Sequence, residues 1–123
     1  ISRRAVVGKR VKLGQGCLIC AGAILTVDVE IGDFVTVDKN SVVSHEAVLK
    51  DYVTVSPGVH ISGNVNVEKG VKLGVGSQIL QNIHLGTYSV IGAGATVIGD
   101  IPPYATAVGC PARVIKRADG SRI

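Results

Sequence analysis

The hydrophobic positions of this sequence repeat every six residues. From Ile1 to Val97, every sixth residue is Ile, Leu or Val. A second register, four residues further on, runs from Ala5 to Ile101 and holds only small or aliphatic residues. An α-helix repeats its apolar positions every 3.6 residues and a simple strand every second residue, so neither element alone explains the pattern. An unbroken hexapeptide period is typical of a parallel β-helix.

The two registers predict how each hexad folds. A residue of the second register lies two positions before the next residue of the first, so both side chains point inward from one short strand. The second and third residues after the aliphatic position then fall at a bend. Three hexads per turn give an 18-residue coil, and residues 1–102 then form about six coils, roughly 25–30 Å tall. Glycines directly after the aliphatic position, such as Gly14 and Gly74, are expected to supply the corner conformations.

The β-helix is predicted to end at residue 102. Pro102 and Pro103 cannot continue a ladder of backbone hydrogen bonds. Residues 103–123 are therefore expected to form a capping tail over the last coil, whose strand edges would otherwise be open. At 123 residues the chain is one domain. Since it contains no methionine, we expect a further segment upstream of Ile1.

Composition excludes several classes of partner. Apolar residues make up 46% of the chain and aromatic residues 3%, as suits a narrow core. No apolar run is long enough to span a bilayer and no signal peptide is expected, so no membrane partner is expected either. Nucleic acid is not expected either, because no recognisable binding module occurs. The net charge of +4 comes partly from a tail cluster of Arg113, Lys116, Arg117 and Arg122. That cluster is either a solvated end or a site for a phosphate-bearing ligand.

The cysteines indicate a reducing compartment. Cys17, Cys20 and Cys110 are odd in number, which argues against a disulfide framework and favours a cytoplasmic location. The spacing of Cys17 and Cys20 suggests zinc, but the second ligand pair is missing and Cys17 lies in the inward register. The sequence therefore predicts no metal.

Stacking residues 18 apart turns the sequence into a surface map. One corner column reads Val27, His45, Gly63, Gln81 and Gly99, and its neighbour reads Asp28, Glu46, Asn64, Asn82 and Asp100. A histidine beside a carboxylate at an exposed corner can act as a general base. A glycine above it leaves its backbone groups open to a ligand. A solvent-facing histidine in a polar turn remains the alternative.

The other two histidines lie outside this column. His60 and His84 fall in outward positions on different faces and coils. They are interpreted as surface or interface residues, because a metal site would need ligands from another subunit.

Two segments resemble a known enzyme family. The stretch SHEAVLKDYVTVSPGVHISGNV, residues 44–65, resembles the bacterial hexapeptide-repeat acetyltransferases that include sialic acid O-acetyltransferases and nucleotide-amino-sugar N-acetyltransferases. The ending IPPYATAVGCPARVIKR, residues 101–117, resembles their C-terminal segment, which serine acetyltransferases share. The resemblance covers essentially the whole chain.

The resemblance implies a fold, an assembly and a reaction. The fold would be a left-handed parallel β-helix, an exception to the usual right-handed crossover, and the assembly a homotrimer with active sites between subunits. Acetyl-CoA would be the co-substrate and a nucleotide-linked amino sugar the acceptor. Catalysis would rest on His45 as general base and on Glu46 as the residue that orients it. Cofactor contacts would come from Gly63, through its backbone N–H, and from Gln81, Gly99, Arg113 and Lys116.

Two departures from the family pattern affect these expectations. Many members carry a second histidine nine residues after the catalytic one, where this chain has Thr54. Members also carry an N-terminal α/β domain that binds the nucleotide sugar, and this sequence does not include it.

The sequence leaves three alternative functions to be tested. The first is acetyl transfer to an amino sugar, direct and without an acyl-enzyme, since no cysteine is placed at the His45 corner. The second keeps the chemistry but uses a hydroxyl acceptor, on a sialic acid or serine. The third is a non-catalytic trimeric β-helix scaffold.

Overall fold

The two inward registers form the core, as the hexapeptide period predicts. In the computed structural model, which describes all 123 residues, 27 buried apolar side chains make one cluster. The cluster extends from Ile19 to Ala107. Near the N-terminus the inward side chains of Ala5, Val11 and Leu13 are only partly buried, because the first coil has a neighbouring coil on one side only.

Eighteen short strands follow one another around the axis. In chain order they are β1 Val6–Val7, β2 Lys12–Leu13, β3 Leu18–Ile19, β4 Ile24–Leu25, β5 Glu30–Ile31, β6 Thr36–Val37, β7 Val42–Val43, β8 Val48–Leu49, β9 Thr54–Val55, β10 His60–Ile61, β11 Asn66–Val67, β12 Lys72–Leu73, β13 Gln78–Ile79, β14 His84–Leu85, β15 Val90–Ile91, β16 Thr96–Val97, β17 Thr106–Val108 and β18 Arg113–Lys116.

Every third strand joins the same sheet. Sheet A has the order β1-β4-β7-β10-β13-β16, sheet B has β14-β11-β8-β5-β2, and sheet C has β18-β17-β15-β12-β9-β6-β3. From β1 to β16, neighbouring strands of a sheet are parallel with an 18-residue step, as in the pairing of Val6 with Ile24. The predicted parallel β-helix of about six 18-residue coils is confirmed.

Each corner contains one residue in the left-handed region of backbone conformation. This residue is the third after the aliphatic position, and the pattern holds at every hexad from Arg10 to Gly94. The expectation that the glycine directly after the aliphatic position supplies this conformation is wrong. Those glycines serve close approach instead, since a Cβ added to Gly74 would lie 2.5 Å from the backbone nitrogen of Ala93 in the next coil.

The last coil is shorter than the others. Ile101 bridges to Leu85, 16 residues earlier, whereas the lower coils repeat at 18. Sheet C continues beyond Pro102 and Pro103, because β17 pairs in parallel with β15 and β18 then pairs antiparallel with β17. No part of the chain is a helix long and apolar enough to cross a membrane.

Candidate active site

The loops that lead from sheet A to sheet B stack into one corner, here called the A/B corner. Each residue in left-handed conformation donates its N–H to a carbonyl of the coil before: Glu46 to Val27 at 3.1 Å, Asn64 to His45 at 2.9 Å, and Asn82 to Gly63 at 3.1 Å. These bonds place His45 and Gly63 in one column and Glu46, Asn64 and Asn82 in the next. The stacking that the 18-residue step predicts is therefore present at the site itself.

The imidazole of His45 lies across the backbone of Gly63. A Cβ at Gly63 would collide with Cε1 and Nε2 of the ring, so only glycine allows this arrangement. Gly63 is buried, while His45 remains 57% exposed in its side chain. The Gly63 N–H donates to no other group of the chain, and its carbonyl accepts from Asn82. Nε2 of His45 thus lies against a glycine whose N–H has no partner within the chain.

Glu46 approaches the opposite nitrogen of the same ring. Its Oε1 lies 3.5 Å from Nδ1 of His45. A carboxylate on the Nδ1 side favours the tautomer with its proton on Nδ1, which leaves the Nε2 lone pair free. Glu46 has a backbone φ of 61°, in a region that disfavours residues other than Gly, Asn and Asp.

Above and below Glu46, its column is tied by side-chain hydrogen bonds. Asn64 Nδ2 donates to Asn82 Oδ1 at 2.8 Å. Below, Arg10 donates to both carboxylate oxygens of Asp28, at 2.6 and 3.1 Å, and this contact lowers the pKa of Asp28. The column of Glu46 therefore begins at Arg10, and the column of His45 begins at Lys9. Sequence reasoning missed these two residues, although the same 18-residue step reaches them.

The upper cofactor residues are placed less regularly. Gln81 is exposed and follows Gly63 in the column. The last A/B corner is shortened. As a result, no backbone hydrogen bond joins Gln81 to the segment that contains Gly99. Gly99 is exposed, with nothing within 4 Å of the place its Cβ would take.

Arg113 and Lys116 lie on another side of the molecule. Both are exposed on β18, the last strand of sheet C, where Arg113 pairs with Val108 and Lys116 with Thr106. Thr54, which stands where many family members have a second histidine, also lies in sheet C, on β9. Within one chain these residues are not assembled with His45.

Neither of the other histidines belongs to the A/B corner. His60 is exposed on β10 in sheet A, and His84 is on β14 in sheet B. His84 Nε2 lies 2.8 Å from Oε2 of Glu68, whose Oε1 lies 3.0 Å from Nζ of Lys50. Sequence reasoning did not identify this network: Lys50 and Glu68 are one 18-residue step apart, but His84 follows Glu68 by 16 residues and lies outside their column. No three metal-ligating side chains come together anywhere in the chain.

The main grooves of the single chain do not include His45. A groove of about 570 Å³ runs over sheet B and is lined by Lys12, Glu30, Val48, Lys50 and Lys69, among others. A second, of about 370 Å³, lies between Arg10, Val11, Lys12, Asp28 and Glu30, beside the lower end of the A/B corner. The catalytic candidates thus stand on an open edge, which a second surface would have to cover to exclude water.

Solved structures of other proteins share this architecture. No model of a protein family matches the sequence, and no curated protein sequence does. WeeI from Acinetobacter baumannii AYE is 34% identical with a TM-score of 0.90, over 92% of this chain and 56% of WeeI. The acetyltransferase domain of PglB from Neisseria gonorrhoeae, solved with acetyl coenzyme A, is 32% identical with a TM-score of 0.90, over 91% and 55%.

A third structure adds an acceptor. A mutant of perosamine N-acetyltransferase from Caulobacter crescentus, in complex with CoA and GDP-perosamine, is 32% identical with a TM-score of 0.92, over 93% of this chain and 54% of that protein. The chain thus spans little more than half the length of these relatives. The resemblance found in the sequence is confirmed: over nearly its whole length, the chain matches the β-helix of the hexapeptide-repeat acetyltransferases.

Proposed function

We propose that this protein transfers the acetyl group of acetyl-CoA to the amino group of a nucleotide-linked amino sugar. The observation that carries the proposal is the pairing of the His45 imidazole with a bare glycine backbone, Gly63, at the A/B corner. The similar PglB domain binds acetyl-CoA, and the similar perosamine enzyme binds CoA with a nucleotide-linked sugar. We propose both the nucleotide-linked amino sugar as acceptor and the cytoplasm as the location of the reaction.

His45 is the general base in this mechanism. Its Nε2 accepts a proton from the acceptor amine as the amine nitrogen attacks the thioester carbonyl. The C–S bond then breaks, and the proton on Nε2 passes to the leaving thiolate, so that the products are an amide and free CoA thiol. Glu46 stabilises the imidazolium from the Nδ1 side.

Gly63 supplies the hydrogen bond to the developing oxyanion. Its N–H has no partner in the chain, and the His45 ring lies against the same residue. A donor of this kind is effective because it is already oriented before charge develops. An acyl-enzyme is not needed, since Cys17 and Cys20 flank β3 in sheet C and the Cys17 thiol donates to Gly32 O at 3.1 Å.

The active unit in this proposal is a homotrimer. His45 stands on an open edge, while the cofactor candidates Arg113 and Lys116 lie in sheet C of the same chain. If the A/B corner of one protomer faces sheet C of the next, both groups meet in one cleft. Gln81 and Gly99 would then contact the cofactor from the His45 side.

Thiol release from acetyl-CoA with UDP- and GDP-linked amino sugars tests the function. We expect His45→Ala to lower kcat by about 10²–10⁴-fold, the usual contribution of a general base. The control is His60→Ala, which removes an exposed histidine from the neighbouring sheet and should leave kcat unchanged. Turnover that survives in His45→Ala would remove this residue from the mechanism, and no acetyl transfer by the native protein would favour a scaffold role.

A further inference from the structure

We propose that the lower end of the A/B corner binds the diphosphate of the acceptor, through Lys9 and Lys12 with Arg10 between them. This inference rests on the proposed function, because it assigns one part of the acceptor to one part of the chain. It gives the nucleotide-linked substrate a contact on the β-helix itself.

The first argument is the distribution of charge. Residues 1–27 contain five cationic side chains, Arg3, Arg4, Lys9, Arg10 and Lys12, and no Asp or Glu. The first acidic residue is Asp28, which binds Arg10. Lys9 and Lys12 are exposed and take part in no ion pair of the structure. Unpaired cations on an otherwise acid-free coil attract a multiply charged anion.

The second argument is the position of these cations relative to His45. Lys9 and Val27 are the two members of the His45 column below the imidazole, joined to it through backbone hydrogen bonds of Asp28 and Glu46. Two coils separate Lys9 from His45, about 9–10 Å along the axis. Between them lies Val27, which is half-buried and apolar. The general base His45, the apolar residue Val27 and the cation Lys9 therefore follow one another along a single column.

This order fits a sugar nucleotide. The amine must reach Nε2 of His45, the sugar ring can lie over Val27, and the phosphates then extend down to Lys9. The groove of about 370 Å³ between Arg10, Lys12, Asp28 and Glu30 continues from that point. Arg10 is held in place by its two bonds to Asp28, which compensates its charge, so it offers its remaining N–H donors in a fixed orientation while Lys9 and Lys12 supply the net charge.

The test is a double substitution, Lys9→Gln with Lys12→Gln, with Lys39→Gln, an exposed lysine at the corner between sheets C and A, as the matched control. We expect KM for a UDP- or GDP-linked amino sugar to rise about tenfold or more, as expected for the loss of charge-assisted hydrogen bonds. The KM for acetyl-CoA and the rate with glucosamine, which lacks the diphosphate, should not change. An unchanged KM for the linked sugars would overturn the site while leaving the proposed function intact.

Binding measurements separate the two proposals if the protein shows no transfer. Calorimetry with UDP and GDP should then show binding that weakens in the double variant and with rising salt, as electrostatic contacts do. Equal binding by the native protein and the variant would overturn the site. So would no binding of either nucleotide at millimolar concentration, or binding to anionic lipid vesicles only.

Discussion

Two corners of this β-helix share one backbone and differ in what their side chains do. The corner between sheets B and C, here called the B/C corner, has left-handed residues at the same position of each hexad as the A/B corner. Its column holds rings instead of polar groups. Phe34 stacks on Tyr52 with centroids 5.6 Å apart, and Tyr88 stacks on Tyr104 at 5.7 Å.

The rings of the B/C corner use their faces within the chain. Tyr88 lies over Gly70, where any Cβ would collide with it, and the Lys69 ammonium lies 5.7 Å from the centroid of Tyr52. The rings thus cover one another in pairs, while the four residues remain 44–56% exposed. Unpartnered N–H groups occur at both corners, since those of Lys69 and Thr87 at the B/C corner donate to nothing either. The A/B corner differs in placing a ring nitrogen, Nε2 of His45, against such a residue, Gly63.

Alanine substitutions at Gly63 and at Gly70 should show the largest difference between the two corners. At Gly63, a Cβ displaces the flexible His45 ring, so we expect kcat to fall about 10²-fold or more with little change in stability. At Gly70, the φ of 72° and the Tyr88 ring both oppose a side chain, so we expect a loss of about 1–2 kcal/mol in the free energy of unfolding. Acetyl transfer assays and urea denaturation of both variants measure the two effects.

The two variants serve as controls for each other. Gly70→Ala should keep its kcat at a temperature where it is folded, and Gly63→Ala should keep its urea midpoint. The comparison fails if Gly63→Ala unfolds the protein and remains active in its folded fraction.

Substitution of Glu46 by glycine should raise the stability of the fold and lower its activity. Its φ of 61° disfavours a long side chain, so Glu46→Gly should stabilise the fold by up to about 1 kcal/mol. The same change removes the carboxylate near Nδ1 of His45, and we expect kcat to fall about tenfold, the equivalent of one charge-assisted hydrogen bond. Thermal unfolding and steady-state kinetics measure the two effects. A stabilised variant with full activity would show that Glu46 does not assist the base.

The sequence predicts the repeat and the His45 column because both follow from one spacing. In a fold without insertions, a residue 18 positions away lies one coil above, so Gly63 can be placed over His45 before any coordinates are known. The same rule reaches Lys9 and Arg10 below. It fails at Gly99, because the last corner loses two residues and Ile101 bridges to Leu85.

Contacts that depend on side-chain reach could not be read from the columns. The columns place Lys50 one coil below Glu68, but only side-chain coordinates show that the two groups touch and that His84, 16 residues after Glu68, joins them. The reason for each glycine is also conformational. Gly74 is required by the closeness of the next coil and Gly70 by the Tyr88 ring packed against its left-handed backbone, and both are simply glycine in the sequence.

The smallest expected effect concerns the second histidine–carboxylate pair. His84 lies 2.8 Å from Glu68, closer than His45 to Glu46 at 3.5 Å, yet we assign it a structural role because it lies in sheet B, outside the A/B corner. The Lys50 ammonium, and then His84, hold the pKa of Glu68 below its ordinary value. Its contribution to stability is therefore present above the pKa of an unfolded Glu, about 4.3, and is lost as the pH falls through the lower folded value.

Glu68→Gln should accordingly lower the free energy of unfolding by less than about 1 kcal/mol at pH 7, and the difference from the native protein should shrink toward pH 3. Urea denaturation at the two pH values measures this difference. Because the Glu68 side chain is only 22% exposed, its ion pairs are better shielded than most surface pairs, so the effect should be resolvable. The variant should retain full acetyl transfer. A loss of kcat comparable to that of His45→Ala would instead move the catalytic pair from the A/B corner to sheet B, and the closer of the two pairs would then be the reactive one.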